Sequence, residues 1–187
     1  MSNEIRLLSM AFKTDSYHNL ALAKAAKDTY LYSRESMRAK VLVLIHMSIE
    51  CALKCMISLE RLGEDLGEIY KIIKKAGHDL SKLTGAVSSP ALDVVLRSRL
   101  RSFNPPGVNL RYGFEVILLN ADTLFSPGRS PEFEDAKLEE AFELADFVCE
   151  LAIGLHKTTY PEHFVWKDGD NAQRVIQRIR RASSKPT

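Results

Sequence analysis

The stretch Ser36–Leu62, SMRAKVLVLIHMSIECALKCMISLERL, decides the fold. It holds no Gly or Pro and is apolar around most of its circumference. A helix of that kind has no face to give to water, so other helices must pack around it. At the standard rise it spans roughly 40 Å, enough to be the spine of one domain. His46, Glu50 and Lys54 recur every four residues along it, with Arg61 close to the same line. A polar stripe on a mostly buried helix needs partners, because each unpaired buried polar group costs about 1–3 kcal/mol. The partners expected are His78, Asp79 and Arg111.

The flanking segments read as more helix. Thr14, Asp15 and Ser16 are residues that cap helices, so the first helix is expected from about Asp15 to Tyr32, with residues 1–14 a strand-like or irregular arm. Its apolar stripe is expected to run through Tyr17, Leu20, Ala21, Ala23 or Lys24, Ala25, Thr29 and Tyr30. After the spine, Gly63 marks a stop, and Glu64, Asp65 and Glu68 suit the positive end of a third helix. That helix closes at Lys74, Lys75 and Gly77. Asp79 is a natural cap for a short helical turn with Leu80, Leu83 and Val87 facing inward. Ser89-Pro90 and Ser130-Pro131 each read as a cap followed by proline at the first helical position. They are expected to open helices running to about Phe103 and Lys157. Between them, residues 108–129 lack a helical period and read as an ordered connection with some extended character. The expectation is an all-α, up-and-down bundle of four to five main helices with short connections. The bundle would cover residues 15–166, ahead of a basic tail at 167–187.

Composition limits the function. With 45% hydrophobic and 27% charged residues, the chain has ordinary globular composition. Its net charge is +2, but residues 167–187 carry a local excess of four positive charges and leave the rest slightly acidic. Sequence-specific DNA binding, which needs a broad basic face, is not expected. The longest apolar run, Val41 to Ile45, is far short of a membrane span, and the first ten residues lack the features of a signal peptide. The chain is therefore expected to be cytoplasmic, with no membrane partner. Cys51, Cys55 and Cys149 lie in apolar helical surroundings and read as reduced core thiols. No nucleotide loop, hydrolase elbow or metal-ligand spacing appears, so no cofactor and no metal are expected. Glu139, Glu143, Asp146 and Glu150 form an acidic stripe on the last helix, read as a solvated face or as an anchor for Arg97, Arg99 and Arg101.

Three short strings remain. They are Ile49-Glu50-Cys51-Ala52-Leu53-Lys54 on the spine, Gly77-His78-Asp79-Leu80-Ser81-Lys82-Leu83 at a helix start, and Leu110-Arg111-Tyr112 after a Pro-Pro-Gly break. In this order and spacing they resemble the HEPN domain, a family of small helical bundles named for nucleotide binding in higher eukaryotes and prokaryotes. The resemblance runs from about Asp15 to His156. It implies a bundle that homodimerises and binds a nucleotide, RNA or a partner protein, in a toxin–antitoxin or defence setting. It places ligand-binding residues at Glu50, Lys54, His78, Asp79, Arg111 and Tyr112.

Catalytic members of the family are metal-independent ribonucleases with an Arg followed, after four to six residues, by a His. This chain departs from that pattern. Arg38 and His46 are too far apart in sequence, and Arg111 has no His after it before His156. A non-catalytic binding module is therefore the expectation. The alternatives are an endoribonuclease of unorthodox site, with His78 and Arg111 as its catalytic pair, and a purely regulatory interaction module.

Overall fold

The structure is a computed structural model, and it describes residues 3–29, 35–103 and 135–161. Those residues form six helices: α1 (Asn3–Lys27), α2 (Glu35–Glu60), α3 (Leu66–Ala76), α4 (Leu80–Ala86), α5 (Val94–Ser102) and α6 (Asp135–Thr159). No strand occurs among the described residues, so the chain is an all-α bundle.

The spine behaves as its composition demands. α2 packs against α1, α6, α4 and α3. Ile45, Ile49, Ala52, Leu53, Met56 and Ile57 are all fully buried along it. By length and apolarity α2 would also suit a membrane span, but most of its apolar window is enclosed by the other helices. Removing that surface from water is the main favourable term in folding, at about 25 cal/mol per Å² of apolar area.

Three long helices make the body. Ser16 of α1 meets Ser48 of α2 and Cys149 of α6 at the point where all three touch. Ser48 donates to the Ser16 carbonyl at 2.8 Å, and the Cys149 thiol lies 2.9 Å from the Ser16 hydroxyl and 3.0 Å from that of Ser48. Small side chains let the helix axes approach, and the three groups satisfy one another in the interior. α1 runs antiparallel to α6, since Lys24 pairs with Asp146 and Arg6 lies over Tyr160. α2 and α6 run parallel, since Arg38 pairs with Asp135 at their starts. The chain between them must therefore return to the end where α2 began.

Two helix starts differ from expectation. α1 begins at Asn3, and its helix runs through Thr14, Asp15 and Ser16 without a break, so the irregular arm is not found. Ile5, Leu8, Leu20 and Ala23 supply its buried stripe, and Tyr17, Ala21 and Ala25 face solvent instead. Packing on α2 outweighs the local preference of three small polar residues for a cap. α5 begins at Val94, not after Ser89-Pro90. Its cap is Asp93, which accepts from the Leu96 amide at 2.7 Å. The Ser88 and Ser89 amides are taken by the Glu60 carboxylate, at 2.6 and 2.7 Å, which holds that segment as a turn against the end of α2.

Other expectations hold. Asp65 caps α3, and Gly77, at φ 61°, closes it in a conformation that favours glycine. The acidic stripe of α6 does not reach the arginines of α5. Its Glu139 and Asp146 pair with Lys27 and Lys24 of α1. Arg97 instead donates to the carbonyls of Leu92, Thr84 and Ser89, locking the α4–α5 corner. Burial pushes the Cys51 and Cys55 thiols up to about 12 and raises that of Cys149, so all three are protonated, free thiols at neutral pH. The readings of residues 108–129, of the Ser130-Pro131 start and of the basic tail lie outside the described residues.

Replacing Glu60 by Ala leaves two backbone amides without their carboxylate. We expect a loss of about 1–3 kcal/mol in urea unfolding, with α-helical content retained. A loss below a few tenths of a kcal/mol would show that solvent replaces the carboxylate at no cost.

Candidate functional site

The candidate site is built on one carboxylate. Glu50 faces outward from the middle of α2 toward the α3–α4 turn, yet only 5% of it is exposed. A buried carboxylate is costly unless charged and hydrogen-bonded partners surround it. Two partners do so. Lys54, one helical turn on, donates to Oε1 at 2.6 Å. The Nδ1 of His78 lies 2.9 Å from Oε1 and 2.8 Å from Oε2. A carboxylate only accepts, so His78 Nδ1 carries the proton in this contact.

His46, one turn before Glu50, completes the arrangement. Its Nε2 donates to the backbone carbonyl of His78 at 3.1 Å and stands 3.9 Å from Glu50 Oε2. The His46 ring also stacks near Phe103 at the end of α5, with centroids 6.5 Å apart. Lys54 sits 5.9 Å above the Phe12 ring of α1. The position of His78 follows from local sequence. Gly77 lets the chain turn sharply out of α3. Asp79 then starts α4 by accepting from the Lys82 amide at 3.1 Å. The residue between them must project from the corner, and the corner packs on α2 opposite Glu50.

The outcome is mixed for the residues expected from sequence. Glu50, Lys54 and His78 converge, joined by His46. Asp79 is adjacent in sequence but is spent on the cap and on a 3.3 Å contact with Lys82. Those hydrogen bonds hold its carboxyl below the usual range. Arg61 leaves the stripe and pairs with Glu64 at 2.8 Å. Arg111 and Tyr112 lie outside the described residues. Among the described residues, no group of three or more His, Cys, Asp or Glu side chains is arranged to hold a metal ion.

The chemistry available is that of an oriented imidazole. The side chain of His78 is 44% exposed, while its carboxylate anchor is buried. In the neutral ring, a proton on Nδ1 makes Nε2 the acceptor nitrogen. Lys54 brings a positive charge to the same carboxylate and limits the negative potential around the ring.

A second polar cluster was missed from sequence. His156 and Tyr160 lie one turn apart at the end of α6, their ring centroids 5.3 Å apart. Arg6 of α1 covers the Tyr160 ring at 4.8 Å. His156 is only 7% exposed. Its burial, together with the positive charges of Lys13 and Arg6, pulls its pKa from 6.5 down to about 4. The available signal was the spacing: His156 continues the line of Cys149 and Ala152 on the buried face of α6.

No family model, no curated protein and no solved structure matches the chain.

Two predictions arise from these clusters. Glu50→Ala leaves Lys54 and His78 without their shared anchor in a mostly buried place, and should cost about 3 kcal/mol in denaturant unfolding. A cost under about 0.5 kcal/mol would place Glu50 with ordinary surface pairs. For His156, the unfolded chain takes up its proton near pH 6.5 and the folded chain only near 4. Stability should therefore be level above that window and fall as the pH drops through it. The difference between wild type and His156→Gln should change by at most about 3 kcal/mol across the window. Parallel pH profiles for the two proteins would show that His156 titrates alike in both states.

Proposed function

We propose that this chain is a HEPN-like, non-catalytic helical module that binds RNA or a nucleotide at the face formed by His78, Glu50 and Lys54. The observation that carries the reading is a buried carboxylate committed to orienting an exposed histidine. A contact serving stability alone would gain more from apolar side chains at the Glu50 position, because a buried ion pair often contributes less than the packing it displaces. Holding an imidazole in one tautomer at the surface is useful where that ring meets a ligand. Support also comes from the convergence of two of the three strings behind the resemblance: the spine string supplies Glu50 and Lys54, and the Gly77–Leu83 string supplies His78. Under this reading the module is a cytoplasmic homodimer, and Arg111 and Tyr112 add to the same face. A toxin–antitoxin or defence setting and a protein partner belong to the wider reading that the resemblance brings.

One observation favours a second reading, a metal-independent endoribonuclease. His78 held at Nδ1 by Glu50 is arranged as a general base with its orienting carboxylate. In that reaction Nε2 takes the 2′-hydroxyl proton and the freed oxygen attacks the adjacent phosphorus. The bond to the 5′ oxygen breaks, giving a cyclic phosphate end, and that oxygen leaves with a proton.

One experiment tests both. Purified protein is mixed with single-stranded RNA in EDTA, and binding and cleavage are followed for wild type, His78→Ala, Glu50→Gln and Arg111→Ala. The binding reading predicts intact RNA and about tenfold weaker binding in His78→Ala, the loss of one hydrogen bond. Unchanged binding in all three variants would remove the site assignment. Cleavage in wild type that is lost in His78→Ala would establish the enzyme reading instead.

A further inference from the structure

The side of the bundle that carries His78 is its basic side. Residues 66–102, which hold α3, α4 and α5, contain seven Lys or Arg against three Asp or Glu. α6 contains six Asp or Glu against two Lys. α3 and α4 lie against α2 and α5 lies against α4, whereas α6 covers α2 and α1. The opposite charges therefore stand on different parts of the surface. A polyanion is drawn to one part and repelled by the other.

The basic residues gather at one corner. Lys75 is in the last turn of α3, just before His78, and Lys82 is in the first turn of α4, just after it. The end of α5 comes to the same corner. Its Phe103 ring stacks near His46, and His46 Nε2 donates to the His78 carbonyl. Arg99 and Arg101 lie in that last turn of α5. All four cations are exposed, as is His78. Among the described residues, Lys75, Arg99 and Arg101 form no ion pair, and Lys82 makes a 3.3 Å contact with exposed Asp79. Helix stability does not account for the set. A cation suits the negative end of a helix, which explains Lys75, Arg99 and Arg101 singly. Lys82 stands at the positive end of α4, where the same effect opposes it. What the four share is the corner that presents His78.

We propose that Lys75, Lys82, Arg99 and Arg101 form a phosphate track, and that the ligand at the His78 face is a single RNA strand and not a mononucleotide. The proposal rests on the reading that His78 meets RNA or a nucleotide. One phosphate does not reach cations on the ends of three helices. The successive phosphates of a strand passing over the corner do. Lys75 and Lys82 take the phosphates beside the nucleotide that meets His78, and Arg99 and Arg101 take those further toward α5. Contacts to phosphate carry no sequence information, so the track holds strands of any sequence.

Fluorescence anisotropy with the full-length protein in EDTA tests this. The probes are a labelled oligouridylate of about 12 nucleotides and uridine monophosphate as its competitor. Salt is varied from about 50 to 200 mM. The strand should bind at least about tenfold more tightly than the monophosphate. Its log affinity should fall linearly with log salt. Lys82→Gln should flatten that slope by about 0.7, and Lys75→Gln with Arg99→Gln by about 1.4, at one phosphate contact per cation. Lys137→Gln removes the same charge from an exposed position on acidic α6 and should leave the slope as it is. An unchanged slope in the α3–α5 variants overturns the track, and so does equal flattening by Lys137→Gln or a mononucleotide that binds as tightly as the strand. Weaker strand binding by His78→Ala in any of those cases leaves the His78 reading standing alone. A slope that flattens as expected while His78→Ala binds like wild type supports the track and removes the His78 contact. Binding of neither probe overturns both.

Discussion

The structure depends on a helix that has almost no surface to give to water. α2 is apolar on most of its circumference, and the other helices are arranged to enclose it. α1 and α6 cover it along its length, and α3 and α4 cover part of what remains. The polar side chains that α2 buries then need partners, either on α2 itself or on the segments that cover it. Ser48 is met by Ser16 and Cys149, Glu60 by the Ser88 and Ser89 amides, and Glu50 by Lys54 and His78. The same constraint thus produces the core and the candidate site. The site is the place where enclosure of α2 is completed by a sharp turn with a histidine at its corner.

That origin explains why Glu50 and His78 differ so much in exposure. The carboxylate belongs to the enclosed helix and the imidazole to the corner that closes over it. A carboxylate in this position has a large desolvation cost that only its partners offset. In return it fixes the ring's orientation and its tautomer. The bundle supplies rigidity on the α2 side, and the capped start of α4 supplies it on the other. A side chain presented in this way meets a ligand with little further loss of rotational freedom.

Much of the fold could be read from the sequence because it followed from periodicity and from caps. The spine, the Asp65 and Gly77 boundaries of α3, the Asp79 cap and the buried face of α6 all rest on local patterns. Two helix starts were misplaced where tertiary contacts overrule local chemistry. Thr14-Asp15-Ser16 looks like a cap, but the buried stripe of Ile5, Leu8 and Leu20 carries the helix through it. Ser89-Pro90 looks like a start, but Glu60, nearly thirty residues earlier, claims the Ser88 and Ser89 amides. Of the candidate site, Glu50, Lys54 and His78 were legible because helical spacing and a polar stripe on an apolar helix demanded partners. The cluster of His156 and Tyr160 was not, because half of it comes from a stretch read as an irregular arm, and a pair of helices must be placed side by side before Arg6 meets Tyr160.

The central claim is that Glu50 holds His78 with its proton on Nδ1 so that Nε2 meets the ligand. Nitrogen NMR of the histidine rings, with and without a short single-stranded RNA, tests it most directly. The account predicts that His78 carries its proton on Nδ1, and that RNA moves the Nε2 signal while Nδ1 stays with Glu50. A His78 ring protonated on Nε2 alone, or an Nε2 signal indifferent to RNA, would contradict it.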